Sequence, residues 1–340
     1  MDFFNHPYYV TIKNINCVFG AWPYQAQWKN TVCRCVITIL FIIQLAGQMI
    51  CFVVYIHDEE SLIELIVAFL TAIFLICKFV NNMLKVKTMT KLLESIKENQ
   101  NMCTKKEEKH ILDEEAQKGR IFVHGYLFFT YTTLGIYVLE PLTTCFANII
   151  FYSNYTLPHI YPVPIHWYIV DMDKNFLPIW GLESICVVAI ITSGLASDSS
   201  FFVFLQHARG LFILVQYQFR NLPNGKDLQA RWNIHGNLRK TNDVQYDYYI
   251  MCIKHHKRAV KFASYLESMY VWCFGMVIGM TVPLLSFTVY QLIFQSNSIQ
   301  RLVKLALFVV CQVVHIFFDC YLSQRLIDES NNVQKHMYVK

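Results

Sequence analysis

The sequence predicts an all-α, polytopic membrane helix bundle, and three observations predict it. Six apolar stretches occupy 32–56, 61–80, 121–146, 176–206, 268–294 and 303–322. A helix of about 20 residues crosses a hydrocarbon core roughly 30 Å thick, and each stretch reaches that length. The composition agrees: 55% hydrophobic, 15% aromatic and only 16% charged residues, with mean hydropathy +0.33, outside the range of an ordinary soluble domain. Finally, the basic residues gather in alternate connecting segments rather than evenly along the chain.

The elements follow in order. Residues 1–31 have no short apolar core followed by a small-residue cleavage site, so they carry no secretory signal. They end in GAWPYQAQWKN (Gly20 to Asn30) and read as a cytoplasmic lead-in whose aromatics anchor at the headgroup level. His57 to Glu60 make only a turn between the first two spans. Residues 81–120 form a charged connection with nine Lys/Arg and seven Asp/Glu. Many of the opposite charges lie three or four apart, the spacing that supports solvated helix. Residues 147–175 are an aromatic, Pro-rich loop with little periodicity. The fourth span continues as an amphipathic helix through FILVQYQFRNL until Pro223 and Gly225 stop it. The loop 207–264 is long and basic, and it leads into the fifth span, where Tyr270 to Phe294 carry no charge. Pro283, with Gly275 and Gly279, predicts a kink there, tolerated where neighbours re-satisfy the backbone. No internal repeat marks a second domain, so 1–340 is one bundle.

Counting charges fixes an orientation. Segments 1–31, 81–120, 207–264 and 323–340 hold 24 Lys/Arg, whereas 57–60, 147–175 and 295–302 hold two. Arg34, Lys78 and Lys304 sit at span ends, where long side chains snorkel. Positive charge accumulates on the cytoplasmic side, so both termini are expected inside. The basic net charge of +5 is thus explained by topology, with no nucleic-acid module in view.

Individual motifs divide sharply. Asn154-Tyr155-Thr156 is a glycosylation sequon on an expected outer loop. None of the 12 cysteines lies in an outer segment, which speaks against a disulfide framework and leaves them as small packing residues. Cys252, His255 and His256 lack the second ligand pair that a zinc site needs, so no metal and no cofactor is expected. His124, His207 and His315 read as structural or interfacial. Glu64, Glu140 and Glu183 fall toward outer span ends, and Asp198, Asp319 and Lys78 toward inner ends. None takes the midplane position that ion-coupled transport uses. Nucleophile-elbow, zinc-protease and phosphate-loop patterns are missing, so the chain offers no catalytic constellation and is not read as an enzyme. What remains is the outer half of the bundle, where Phe69, Tyr131, Leu134, Tyr137, Val138, Trp180, Ser184, Val187, Phe308 and Gln312 form a mostly apolar lining with a few hydroxyls and amides. Such a lining suits a small hydrophobic ligand, and plain helix packing is the competing explanation for each residue.

Three patches and a fourth, looser one resemble the insect odorant receptors. Gly20, Trp22 and Pro23 are similar to that family's G-x-W-P before the first span. Asp198-Ser199-Ser200-Phe201, with His207 and Leu214, resembles the inner end of its long fourth helix. Cys252, Ile253, His256, Val260, Phe262, Leu266 and Glu267 resemble the lead into its fifth. Cys320, Ser330, Val333 and Tyr338 resemble the stretch before its last.

The resemblance implies a ligand-specific subunit of an odorant-gated, non-selective cation channel. Such a subunit assembles with a shared co-receptor into a tetramer in the plasma membrane of an olfactory neuron dendrite. It implies odorant binding among the second, third, fourth and sixth helices. It also implies a seventh, pore-lining helix, which is expected beyond Lys340. A gustatory-type channel of the same superfamily and a G-protein-coupled chemoreceptor are the alternatives; the latter needs an outside N-terminus.

Overall fold

The computed structural model describes residues 3–103, 105–151, 161–167, 170–172, 174–221, 241–295 and 298–338. Among the described residues a single 3₁₀ turn (Phe3–Asn5) precedes eight α-helices: α1 (Val10–Val18), α2 (Gln27–Val54), α3 (Glu59–Leu84), α4 (Val86–Met102), α5 (Lys106–Phe151), α6 (Phe176–Arg220), α7 (Thr241–Phe294) and α8 (Ile299–Tyr338). Strands are absent among the described residues. Six of these helices, α2, α3 and α5 to α8, are long and apolar enough to cross a membrane. The sequon at Asn154 lies outside the described residues.

The helices outrun the apolar stretches inside them. α5 begins at Lys106, with Glu107 and Glu108 in its first turn, where acidic groups complement the N-terminal end of the helix dipole. Lys118 then reaches Glu114 at 2.7 Å one turn back. The opposite-charge spacing of 81–120 therefore becomes α4 and the start of α5. Similarly α6 runs through to Arg220, and α7 is already helical at Thr241. α7 continues through Pro283 as one helix. Around the proline, Thr281 donates to the Val277 carbonyl at 2.7 Å and Ser286 to that of Val282 at 2.9 Å.

α6 is the axle. It touches α1, α2, α3, α5, α7 and α8, and every residue from Ser193 to Phe212 is buried. A helix buried all round must be apolar or satisfied at every angle. Here Phe202 and Phe204 fill the core with Leu92, Leu93, Ile96 and Phe262, while small residues admit close neighbours. At Gly194 a β-carbon would come within 2.5 Å of the Leu75 side chain, so glycine is what lets α3 approach. The outward faces of α2 and α7 are apolar and exposed, with Ile42 at 60%, Val53 at 70% and Trp272 at 79%. Such faces meet lipid rather than water.

The N-terminal segment departs from the sequence expectation. Phe4, Tyr9 and Trp22 are packed into the core at 2–3% exposure, and only Tyr24 and Trp28 stay exposed. The cause is a sharp reversal after α1. Gly20 has φ +65°, and a β-carbon there would meet the Asn30 carbonyl oxygen at 2.4 Å. The Ala21 and Trp22 amides donate back to the Asn16 carbonyl, closing the helix end and folding the indole inward. Asn16, fully buried, donates to Ser200 on α6 at 2.9 Å. The aromatic lead-in is therefore a plug against α6 rather than a set of interfacial anchors.

Candidate functional site

The ten residues singled out from the sequence separate into small groups. Tyr137 of α5 and Phe308 of α8 meet with their rings tilted by 52° and 6.0 Å between centroids. Lys304, one turn from Phe308, lies 4.6 Å over the Tyr137 ring and pairs with Glu140 at 2.8 Å. A cation over an aromatic face, itself held by a carboxylate, fixes the ring's orientation. Val138 and Trp180 meet through the indole N–H, which donates to the Val138 carbonyl at 3.0 Å. The Ser184 hydroxyl is spent on its own helix, donating to the Trp180 carbonyl at 2.6 Å. Leu134 and Val187 are buried at 6% and 7%.

Others look elsewhere. The Phe69 ring packs edge-on against Phe52 of α2 at 5.6 Å. Tyr131 is half exposed and donates to Thr192 at 3.2 Å. Ser184 and Thr192, with Val18, Phe19, Ile37 and Val188, line an open groove of about 430 Å³ beside α1, α2 and α6. Gln312 donates to Thr288 of α7 at 3.1 Å. The Thr288 hydroxyl proton is committed to the Leu284 carbonyl at 2.7 Å, so its oxygen accepts from Gln312, whose own oxygen is buried without a partner among the described residues.

The same face of α8 carries what sequence reasoning missed. Phe308, Gln312, His315 and Asp319 succeed one another at helical spacing, and the last two join a buried polar cluster. Lys78 of α3 donates to Asp198 of α6 at 2.6 Å and lies 2.6 Å from His315 Nε2. Tyr126 of α5 donates to the other Asp198 oxygen at 3.1 Å. None of the five side chains belongs to a residue more than 8% exposed. The available signal was two acids and a lysine inside otherwise apolar runs, which are expensive in a bilayer unless paired.

Toward the charged end a second network ties α6 to its neighbours. Arg209 grips Glu115 of α5 at 2.5 Å and Glu329 of α8 at 3.1 Å. Gln216 also donates to Glu329, at 3.0 Å, and Gln218 to Glu108 at 3.0 Å. His255 of α7 bonds Gln218 at 2.8 Å, so this histidine is engaged structurally. All 12 cysteines are free thiols. Burial pushes the Cys103 thiol, between α4 and α5, up to about 11, away from thiolate chemistry.

Five membrane-length helices around a sixth, the polar-cored α6, with an aromatic contact between α5 and α8, define a multi-pass α-helical membrane protein. The family profile described as 7tm Odorant receptor matches residues 59–339, and the chain belongs to that family. The fold is similar to the solved insect olfactory receptor OR5 from Machilis hrabei, with TM-score 0.67 and 13% identity, covering 95% of this chain and 80% of that one. Among curated proteins none matches.

Proposed function

We propose that this chain is the ligand-specific subunit of an odorant-gated, non-selective cation channel, completed by a co-receptor in a hetero-oligomer, with a tetramer the expected form. Its ligands are small, volatile and hydrophobic. They bind in the half of the bundle holding Tyr137 and Phe308, and the ring contact between α5 and α8 is the observation that carries this reading. An aromatic lining with few polar groups rewards burial of apolar ligand surface and fixes orientation through those few groups. Gating is then a population shift: the ligand binds the open arrangement of α3, α5, α6 and α8 more tightly than the closed one. The lopsided basic residues support a cytoplasmic N-terminus, and the membrane concerned is the plasma membrane of a sensory dendrite.

The test is co-expression with the co-receptor in a cell lacking chemoreceptors, recording whole-cell current against a panel of volatile hydrophobic compounds. Tyr137→Ala and Phe308→Ala are expected to raise the half-maximal concentration at least about tenfold, equivalent to about 1.4 kcal/mol, at unchanged surface expression. A wild type silent to the panel, or variants with unaltered responses, overturns the proposal. A tag at Met1 is expected to stain only after permeabilisation; surface staining favours the G-protein-coupled alternative.

A further inference from the structure

Beside α6 runs the open groove of about 430 Å³ whose floor includes Ser184, Val188 and Thr192. Ile37 of α2 forms one wall, and Tyr131 of α5 reaches in from the other side to donate to Thr192 at 3.2 Å. Val18 and Phe19, where α1 ends, close its foot. Ser184 is about 12 Å along α6 from Phe176, and Thr192 about 12 Å further, at 1.5 Å per residue. The groove therefore starts near the middle of a hydrocarbon core roughly 30 Å thick and descends toward the charged end of the bundle.

Its floor presents no polar group that an occupant must satisfy. The Ser184 hydroxyl donates to the Trp180 carbonyl at 2.6 Å and the Thr192 hydroxyl to the Val188 carbonyl at 2.7 Å. Ile185 and Val188 are exposed at 60% and 39%, so the groove opens sideways into lipid. An apolar concavity whose hydroxyls are already spent suits a hydrocarbon chain rather than a ligand oriented by hydrogen bonds.

The foot of the groove is basic. Residues 3–57 contain Lys13, Lys29 and Arg34 and no Asp or Glu. Lys13 stands on the α2 side, since Cys17, one turn beyond it, lies within electrostatic reach of both Lys13 and Cys33. Lys29, near the start of α2, projects over the exposed ring of Trp28 at 5.5 Å. On the α5 side, Thr11 and His124 approach to 3.4 Å. Arg120, one turn below His124, is exposed and in no ion pair among the described residues. The α5 acids beneath it are engaged, Glu114 by Lys118 and Glu115 by Arg209. On α6, Glu183 and Asp198 are buried and held by Gln44 and Lys78. Positive charge therefore dominates the rim.

We propose that the groove and its rim bind one anionic glycerophospholipid of the inner leaflet. An acyl chain lies along Ser184 to Thr192, and the headgroup phosphate is met by Lys13, Lys29 and Arg120. The cytoplasmic leaflet carries such lipids and attracts basic segments. A guanidinium suits a phosphate because it donates two parallel hydrogen bonds. Bound there, the lipid splints α1 against α2, α5 and α6 and steadies the N-terminal plug. The choice of leaflet rests on the orientation proposed above.

The test is lipid binding by the full chain, stripped in detergent and offered phosphatidylserine or phosphatidylcholine with the same acyl chains. Bound lipid is read by native mass spectrometry, and stability by melting temperature. Phosphatidylserine is expected to bind at least about tenfold more tightly, given several basic residues at the headgroup. It is also expected to raise the melting temperature, as any ligand of the folded state does. Lys13→Gln and Arg120→Gln should each cut that preference about fivefold, the weight of one basic residue near an anionic surface. Ile185→Trp, at an exposed position, should weaken both lipids together by blocking the acyl chain. Equal binding of the two lipids, or charge variants that keep the preference, overturns the proposal. So does wild-type binding by Ile185→Trp, which reduces the site to surface charge. Displacement by cholesterol would make the occupant a sterol, and dimers lost in Ile185→Trp would make it a second copy; either result overturns it. Binding in detergent is blind to orientation and to odorant, so it fails separately from the tag at Met1 and from the receptor reading.

Discussion

The charged end and the apolar end of this bundle invert what their compositions suggest. Around Ser193 to Phe212 of α6, the stretch holding Asp198, His207 and Arg209, every residue is buried. The most apolar surfaces, Ile42 and Val53 on α2 or Ile278 and Val282 on α7, are exposed at 60–70%. In water the reverse holds. In a bilayer an apolar residue gains nothing by leaving lipid for protein, so packing shape and polar partners decide which helix sits at the centre. The residues that organise the interior are therefore its serines, glycines and paired charges, together with aromatics that fill space.

Substitutions at the two ends sharpen that contrast. The largest loss is expected from Phe202→Ala. This side chain is fully buried against Tyr126 at 5.3 Å and Phe318 at 6.0 Å, and its removal should lower stability by about 3–5 kcal/mol, read as a drop in melting temperature of the solubilised chain. A smaller loss is expected from Gln216→Ala, which strips from Glu329 a hydrogen bond of 3.0 Å. About 1.5–3 kcal/mol is the range for bonds to a charged group, with Arg209 left to hold the carboxylate. Least of all, Ile42→Ala on the lipid-facing side should stay within about 0.5 kcal/mol, as for surface positions generally. A loss at Ile42 matching that at Phe202 would mean that α2 is covered by protein and not by lipid.

The spans were legible because a run without charge has one dominant physical explanation. Helix ends were not. Lys106 to Arg120 reads as solvated helix from its charge spacing, yet nothing local says that it is continuous with the apolar helix that follows. Gly20 and Trp22 stood out, but the inward turn depends on a positive φ and on the Asn16 carbonyl, and aromatic content alone pointed to the headgroups. Of the candidate ligand residues, Tyr137 and Phe308 meet, whereas Ser184 opens onto a lateral groove. At this spacing each helix has two semi-buried faces, and a single sequence does not say which one turns inward. The polar cluster was least accessible. Lys78, Asp198 and His315 were each visible as oddities, but their meeting joins positions 120 and 237 residues apart.

One rod of the bundle bears on all of this. Along a single side of α8, Arg301 holds Glu60 and Glu64, Lys304 holds Glu140, Phe308 meets Tyr137, His315 meets Lys78 and Glu329 meets Arg209. From Arg301 to Glu329 that is about 42 Å at 1.5 Å per residue. A small twist of this shaft about its long axis would shift every one of those grips together.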